Sequence, residues 1–264
     1  MSRGSVAVVL GSAFARGELG VDLTAVDVDT RFGSQRVWRV AGLGRDAYVV
    51  FRHGAPHRVL PHQINWRAQA CALAELGVGA LLVTSSVGVL DADVPLNTPL
   101  MVGDLMMPGN RLPDGTSCTV FTEPSSDHGH LVLNEGLFSR ALADQMRGLG
   151  ARSGVAFGED VVFCYEPGPR TKTPAENRMW ATLGAQVNSM SVGPEVVLAN
   201  ELEIPCAALV VGHKYSHPDI ENPDDDGVAR SLERVEQAQR ELVLEALERL
   251  EPVPFGNHIY RFEG

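Results

Sequence analysis

Ala47 to Trp66 reads A-Y-V-V-F-R-H-G-A-P-H-R-V-L-P-H-Q-I-N-W. The first five residues are an unbroken apolar run, which predicts a strand buried on both faces. The run delivers Arg52 and His53 at its end, and Gly54 allows the chain to turn sharply there. Arg52 offers a planar fork of donors suited to an oxyanion, and His53 adds a ring nitrogen. In open α/β sheets ligands bind beyond the strand ends, so a cationic cluster in this position is a candidate binding site. The same residues would also serve as a plain surface turn carrying two histidines.

Working outward, the pattern repeats. Val6–Leu10 is a second apolar run, closed by Gly11-Ser12. Ala80–Val83 is a third, followed by Thr84-Ser85-Ser86 and Gly88, and Ala207–Val211 is a fourth, ending in Gly212-His213-Lys214-Tyr215. Each predicts a buried strand, and hydroxyls with glycine at a strand end suit phosphate or sugar; they also suit an ordinary strand-capping turn. Residues 26–40 predict a hairpin around Gly33-Ser34, residues 154–165 another hairpin, and residues 100–107 and 187–190 two more strands. Helical periodicity covers 65–76, 137–149, 173–183, 193–200 and 231–250, with Pro174 in a first turn and Gly77 after a last one. Buried strands alternating with helices predict a single α/β domain over 1–264, a central mixed β-sheet flanked by helices. The segment 95–124, rich in Pro, Gly, Asn and Asp, predicts a long loop of the kind that forms lids or stays disordered.

Composition narrows the function. The 264 residues are 44% hydrophobic and 21% charged, enough for a full core. A net charge of −11 argues against a nucleic-acid or anionic-membrane surface, so an anionic substrate needs a local positive pocket. No apolar stretch has the length of a membrane span or of a signal-peptide core, which places the protein in the cytoplasm. Cys71, Cys118, Cys164 and Cys206 lack C-x-x-C spacing and read as free thiols of a reducing compartment. The carboxylate run Asp224-Asp225-Asp226 near His217 does not have the spacing of a calcium loop and reads as solvated chain, so no metal is expected. The chain holds 20 arginines but only two lysines, Lys172 and Lys214.

Taken together, Gly11-Ser12, R-H-G-x-x-H at 52–57, P-H-Q-I-N-W-R-A at 61–68, V-T-S-S-V-G at 83–88, H-L-V-L-N-E at 130–135, E-P-G-P-R-T-K-T-P-A-E at 166–176 and N-S-M-S-V-G-P-E-V at 188–196 resemble the trimeric class of nucleoside phosphorylases, which holds purine nucleoside and methylthioadenosine phosphorylases. The resemblance implies phosphorolysis of a purine nucleoside to base and ribose 1-phosphate, with inorganic phosphate as co-substrate and no other cofactor. It implies a homotrimer or hexamer. Carried onto matching positions, it assigns Ser12, Arg52, His53, Ser85, Ser86 and Ser191 to phosphate and Met190 to the ribose. It assigns His130 to the 5′ end of the nucleoside in a neighbouring subunit.

The departures concentrate at the base. The second arginine of the family's R-H-G-R-x-H is Ala55 here, which removes one cation from the phosphate site. Thr171 stands where relatives place an aromatic, and Lys172 where they place Glu or Ser. His213 and Tyr215 replace the family's Asp or Asn and second Asp. Both lysines therefore fall in segments that shape the base pocket. One reading is a pocket re-cut for a 6-oxo or modified purine, with His213, Lys172 and Tyr215 as donors and His213 as the catalytic donor to the leaving base. The alternatives are a hydrolase using water at a weakened phosphate site, and a decayed protein that only binds nucleoside or phosphate.

Overall fold

A computed structural model describes residues 4–223 and 227–262; the run Asp224–Asp226 lies outside the described residues. The first apolar run forms β1 (Ser5–Leu10), wholly buried. The hairpin is β2 (Leu23–Thr30) and β3 (Gly33–Val40), and the deciding run is β4 (Ala47–Phe51). Then follow α1 (Trp66–Glu75), β5 (Val78–Val89), β6 (Pro99–Met106), β7 (His130–Val132), α2 (Arg140–Arg152), β8 (Val161–Tyr165), α3 (Pro174–Thr182), β9 (Val187–Ser189), α4 (Gly193–Glu201), β10 (Cys206–Tyr215), α5 (Val228–Arg249) and β11 (His258–Tyr260).

Nine strands make one mixed sheet in the order β10-β6-β8-β9-β5-β1-β4-β3-β2, and β10 also pairs with β5. That extra pairing closes β5, β10, β6, β8 and β9 into a ring, while β1, β4, β3 and β2 extend from β5 as an open wing. The pairs β1–β4, β1–β5 and β5–β10 are parallel, so the ends of these four strands come out on one side. Two apolar layers flank the sheet. One holds Val6, Val8, Leu10, Leu82 and Leu209 against Leu142, Met146 and Leu247 of α2 and α5. The other holds Ala7, Val9, Leu81, Val83 and Val210 against Leu73 of α1 and Val196 of α4. Alternation along each strand sends successive side chains to opposite layers, which is why β4 and residues 6–10 of β1 read as unbroken apolar runs.

Several expectations change. Thr84, Ser85 and Ser86 lie inside β5 rather than beyond it, because the ladder to β10 runs on to Val89. Residues 154–165 form no hairpin: only β8 is a strand, paired in parallel with β6 and β9. The segment after β6 is not a lid. Leu112, Cys118 and Val120 are buried against α1 and α4. Arg67 donates to the carbonyls of Ser117 and Thr119 at 2.8 Å, and Glu201 accepts from the Val120 N–H at 2.7 Å. Burial raises the Glu201 pKa. The tail adds β11, which pairs with β7 in a separate two-stranded sheet.

Candidate active site

Beyond the ends of β1, β4, β9 and β10 lies a cavity of about 630 Å³. Its wall includes Ser12, His53, Ser86 and Ser191 on one part, Met190 between, and Thr171, Lys172, His213, Lys214 and Tyr215 on another. Of the twelve sequence-predicted site residues, nine line this one space. Arg52, Ser85 and His130 do not.

The hydroxyl end is fixed from behind. Arg52 is buried and its fork is turned on Glu195: Nε donates to Oε1 at 2.8 Å and Nη2 to Oε2 at 2.7 Å. Nη2 also donates to the Thr84 carbonyl at 2.9 Å. Both side chains of this pair are 1% exposed. Glu195 accepts further bonds from Gln69 Nε2 at 3.0 Å and from the Val192 N–H at 3.0 Å, so both oxygens are satisfied. Arg52 thus ties the end of β4 to the turn that carries Ser191, and stands behind the cavity wall rather than in it. Glu195 carried no role in the sequence reading; its signal was an acid three residues into a helix of otherwise buried positions.

That turn is under strain. Val192 has φ +70° and ψ −57°, and the Gly193 N–H donates to the Ser191 carbonyl at 2.8 Å. This is a γ-turn of the positive-φ kind, uncommon for any residue with a Cβ and most of all for a β-branched one. The bond from Val192 N–H to Glu195 and the fully buried valine side chain hold it. Its effect is to aim Ser191 Oγ at Ser85 Oγ, 3.1 Å away. Ser85 therefore braces Ser191 from the second row. Ser86 Oγ is buried and has no hydrogen-bond partner, although it is at the cavity wall. A buried hydroxyl without a partner costs roughly 1–3 kcal/mol unless a ligand satisfies it.

His53 stacks on His57 with ring centroids 4.4 Å apart, and its Nδ1 lies 2.9 Å from the Val59 carbonyl. A carbonyl only accepts, so Nδ1 carries the hydrogen. Burial first, and the neighbouring Arg52 charge second, push the His53 pKa down to about 3. The ring is neutral at physiological pH, with Nε2 left as an acceptor.

The other end is built on irregular backbone. The ladder between β10 and β5 slips by one residue between Gly212 and Lys214, leaving His213 as the unpaired residue of a bulge. Bulges re-aim a side chain, and here His213 swings into the cavity wall. Its Nδ1 lies 3.1 Å from Ser231 Oγ on α5, and that same Oγ lies 2.8 Å from the His213 carbonyl. Burial and the Lys214 charge lower the His213 pKa to about 4. The expected donor role of His213 is therefore opposed at neutral pH, where the ring is uncharged. Tyr215 lines the cavity with its ring, but its hydroxyl donates to the Val94 carbonyl at 3.3 Å, so it is not a spare donor either. Lys172 is half-buried, and burial lowers its pKa. Its segment is held by the capping box of α3, in which Glu176 accepts from the Thr173 N–H at 2.7 Å and from Arg170. A Cβ at Gly88 would press on the side chains of Ser216 and Asn188.

Among the described residues no aspartate or glutamate lines the cavity, and the two lysines of the chain both do. In a protein of net charge −11 this is the local positive pocket that an anionic ligand needs. Among the described residues no group of three or more metal-ligating side chains forms a site. His130 stands on β7, exposed, with the Phe262 ring edge-on at 5.4 Å, away from the cavity of its own chain.

A mixed α/β sheet with hydroxyls, a helix-braced turn and an apolar thioether around one strand-end cavity defines an enzyme-like site for an oxyanion and a sugar-bearing ligand together. The chain belongs to the phosphorylase superfamily, whose family model matches residues 5–248. It is 33% identical over 226 residues to the "Probable S-methyl-5'-thioinosine phosphorylase" of Methanopyrus kandleri, covering 86% of this chain and 79% of that one. It is 30% identical to the "Probable 6-oxopurine nucleoside phosphorylase" of Thermococcus kodakarensis, covering 80% and 79%. The fold matches that of methylthioadenosine phosphorylase from Schistosoma mansoni in complex with adenine, with a TM-score of 0.80 at 21% identity over 92% of this chain and 90% of that one.

Proposed function

We propose that the protein is a pentosyltransferase that cleaves a purine nucleoside, 6-oxo or modified in its base, with inorganic phosphate. A phosphate oxygen bonds to C1′ of the ribose as the C1′–N9 bond breaks. The bonding electrons leave with the base, which takes up a proton. The products are free base and ribose 1-phosphate, and no other cofactor is needed. The observation that carries the reading is the division of one cavity wall between a hydroxyl end with an unpartnered Ser86 and an end bearing both lysines.

Ser12, Ser86 and Ser191 donate to phosphate, while Ser85 and Arg52 hold the donors in place. Neutral His53 accepts, through Nε2, the hydrogen of a protonated phosphate oxygen. Met190 packs against the ribose; Gly168, where a Cβ would stand 2.6 Å from Met190 Sδ, leaves it room. Thr171, Lys172, His213 and Tyr215 surround the base. Charge gathers on the leaving base only as the bond breaks, so ammonium groups placed there favour the transition state over the ground state. Burial lowers the pKa of Lys172, which suits it to give a proton to the leaving base.

A homotrimer or hexamer completes the site, with His130 of each chain serving its neighbour. The exposed apolar residues beside it support this: Leu133, Tyr260 and Phe262 are all at least half exposed. Light scattering should give a trimer or a multiple of three, and a fully active monomer would remove His130 from the site. The four cysteines are free thiols, which supports a cytoplasmic location; among the described residues no helix is long and apolar enough to cross a membrane.

The test is a nucleoside panel incubated with and without phosphate, following free base and ribose 1-phosphate. Phosphate-dependent release with ribose 1-phosphate supports the proposal. A hydrolase is the second reading, favoured by one observation: the Arg52 fork is engaged by Glu195 and Ala55 brings no second guanidinium, so hydroxyls and a neutral ring surround the nucleophile. Base release without phosphate would establish it.

A further inference from the structure

We infer that Ser231 is a positioning residue that fixes His213 in its Nδ1–H tautomer, so that Nε2 meets the base as a hydrogen-bond acceptor and selects a purine with an N1–H beside a 6-oxo group. Proton counting around one oxygen fixes the tautomer. Ser231 Oγ is 2.8 Å from the His213 carbonyl and 3.1 Å from His213 Nδ1. The carbonyl only accepts, so the one hydroxyl proton goes to it. The Ser231 lone pair is then what faces Nδ1, and Nδ1 must supply the hydrogen. Ser231 is 7% exposed, so water does not compete for either bond. The reverse tautomer would turn the hydroxyl proton to Nδ1 and forfeit the bond to the carbonyl. That carbonyl belongs to the bulged residue itself, so the same serine holds both the bulge and the ring on it.

The ring nitrogen left for a ligand is Nε2, which has no hydrogen-bond partner among the described residues. Burial and the Lys214 charge keep the ring from becoming an imidazolium, which would donate from both nitrogens. The cavity wall then carries the His213 acceptor together with two ammonium donors, Lys172 and Lys214. On a 6-oxopurine both O6 and N7 accept, matching the lysines, and N1–H is the donor beside O6. A 6-aminopurine has a bare N1. This step rests on the proposal that the cavity takes a purine nucleoside; the tautomer does not.

The tautomer is read directly by 15N chemical shifts of the imidazoles in the full-length protein at neutral pH, with the His213 signals assigned by their loss in His213→Asn. The expected signature is a protonated Nδ1 and an unprotonated Nε2; a protonated Nε2 overturns the inference. Ser231→Ala should give a mixture of tautomers, and Ser231→Thr should restore the single form. The second readout is the ratio of kcat/KM for inosine to that for 1-methylinosine and for adenosine, with their 5′-methylthio counterparts. Wild type should prefer the N1–H substrates, and Ser231→Ala should shrink that preference about tenfold, the worth of one hydrogen bond. An unchanged ratio, or a preference for adenosine types in wild type, refutes the selection. Absence of phosphorolysis of any substrate, with the tautomer signature present, would refute the proposed function and the base selection but leave the role of Ser231 standing.

Discussion

The two ends of the cavity are built on opposite plans. At the hydroxyl end every positioning group is buried and interlocked: Arg52, Glu195, Gln69 and Ser85 lie behind the wall and are hydrogen-bonded to one another or to the turn at Ser191-Val192. At the other end, where the proposed function puts the base, the wall is strand overhang and loop: a bulge at His213, an exposed Lys214, and a segment capped onto α3. The first plan resists change because each member satisfies another's charge or donor. The second tolerates change, since its side chains are tied to the fold by one or two bonds each. A cavity made this way can keep one half of its chemistry constant while the other half varies.

The comparison is broken most forcefully at Glu195. Glu195→Gln leaves the Arg52 guanidinium buried without its counter-charge, and breaking such a pair costs roughly 3–5 kcal/mol. Denaturant unfolding should show that loss, and a variant within about 1 kcal/mol of wild type would mean that the interlock is not what holds this end. Next comes acid. Unfolded histidines protonate near their ordinary value, whereas folded His53 and His213 do so only at about 3 and about 4. Between about pH 6.5 and 4 the unfolded chain therefore binds more protons, and stability falls as pH is lowered through that window, by on the order of 2–4 kcal/mol for each ring. His53→Gln should flatten this acid limb more than His213→Gln, and equal flattening would erase the contrast between the two ends. The kcat/KM profile should show no His213 ionisation near pH 6.5.

His213→Ala is expected to cut kcat/KM by about 5- to 150-fold, since it removes one polar partner worth 1–3 kcal/mol. It should leave the KM for phosphate unchanged and move the unfolding midpoint little. Loss of phosphate affinity instead would show that the ends are not separable. The smallest effect belongs to Ser86→Ala. Removing a buried hydroxyl that has no protein partner should raise the KM for phosphate by about fivefold to tenfold while leaving stability equal or slightly higher. Lower stability would mean that Ser86 has a structural role after all.

The same division decides what could be read before the fold was known. β1, β4 and the start of β5 announce themselves as short apolar runs, and the residues that follow them fall on the cavity because parallel strands end together. β5 was read as ending early because Thr84 and Ser85 are polar, yet both are buried: Thr84 Oγ1 bonds the Val9 carbonyl at 3.1 Å and Ser85 Oγ bonds Ser191. Polarity marks a strand end only when the hydroxyls have no partner inside. β7 and β11 have three residues each and pair across more than 120 positions, so no local pattern carries them. Glu195 was hidden because its partner is 143 residues away, and Ser231 because it lies 18 residues past His213, beyond a polar loop. What local sequence carries is the presence of a group at a strand end. Which of its atoms is already engaged by the rest of the chain is a property of contacts distant in sequence, as the Arg52 pair with Glu195 and the Tyr215 bond to the Val94 carbonyl show.

The bulge at His213 has a consequence for anyone who wishes to re-engineer the protein. In a regular ladder, changing a residue perturbs the neighbour across from it and the alternation along its own strand. Residue 213 has no cross-strand neighbour on β5, and pairing resumes at Lys214 with Gly88. Position 213 thus behaves as a socket in the frame: side chains of different size and polarity can be fitted there while the register of β10 on either side is kept. A library varied at 213 and 231 together, with the ladder untouched, is a compact route to new ligand preferences at one end of the cavity while the hydroxyl end is kept.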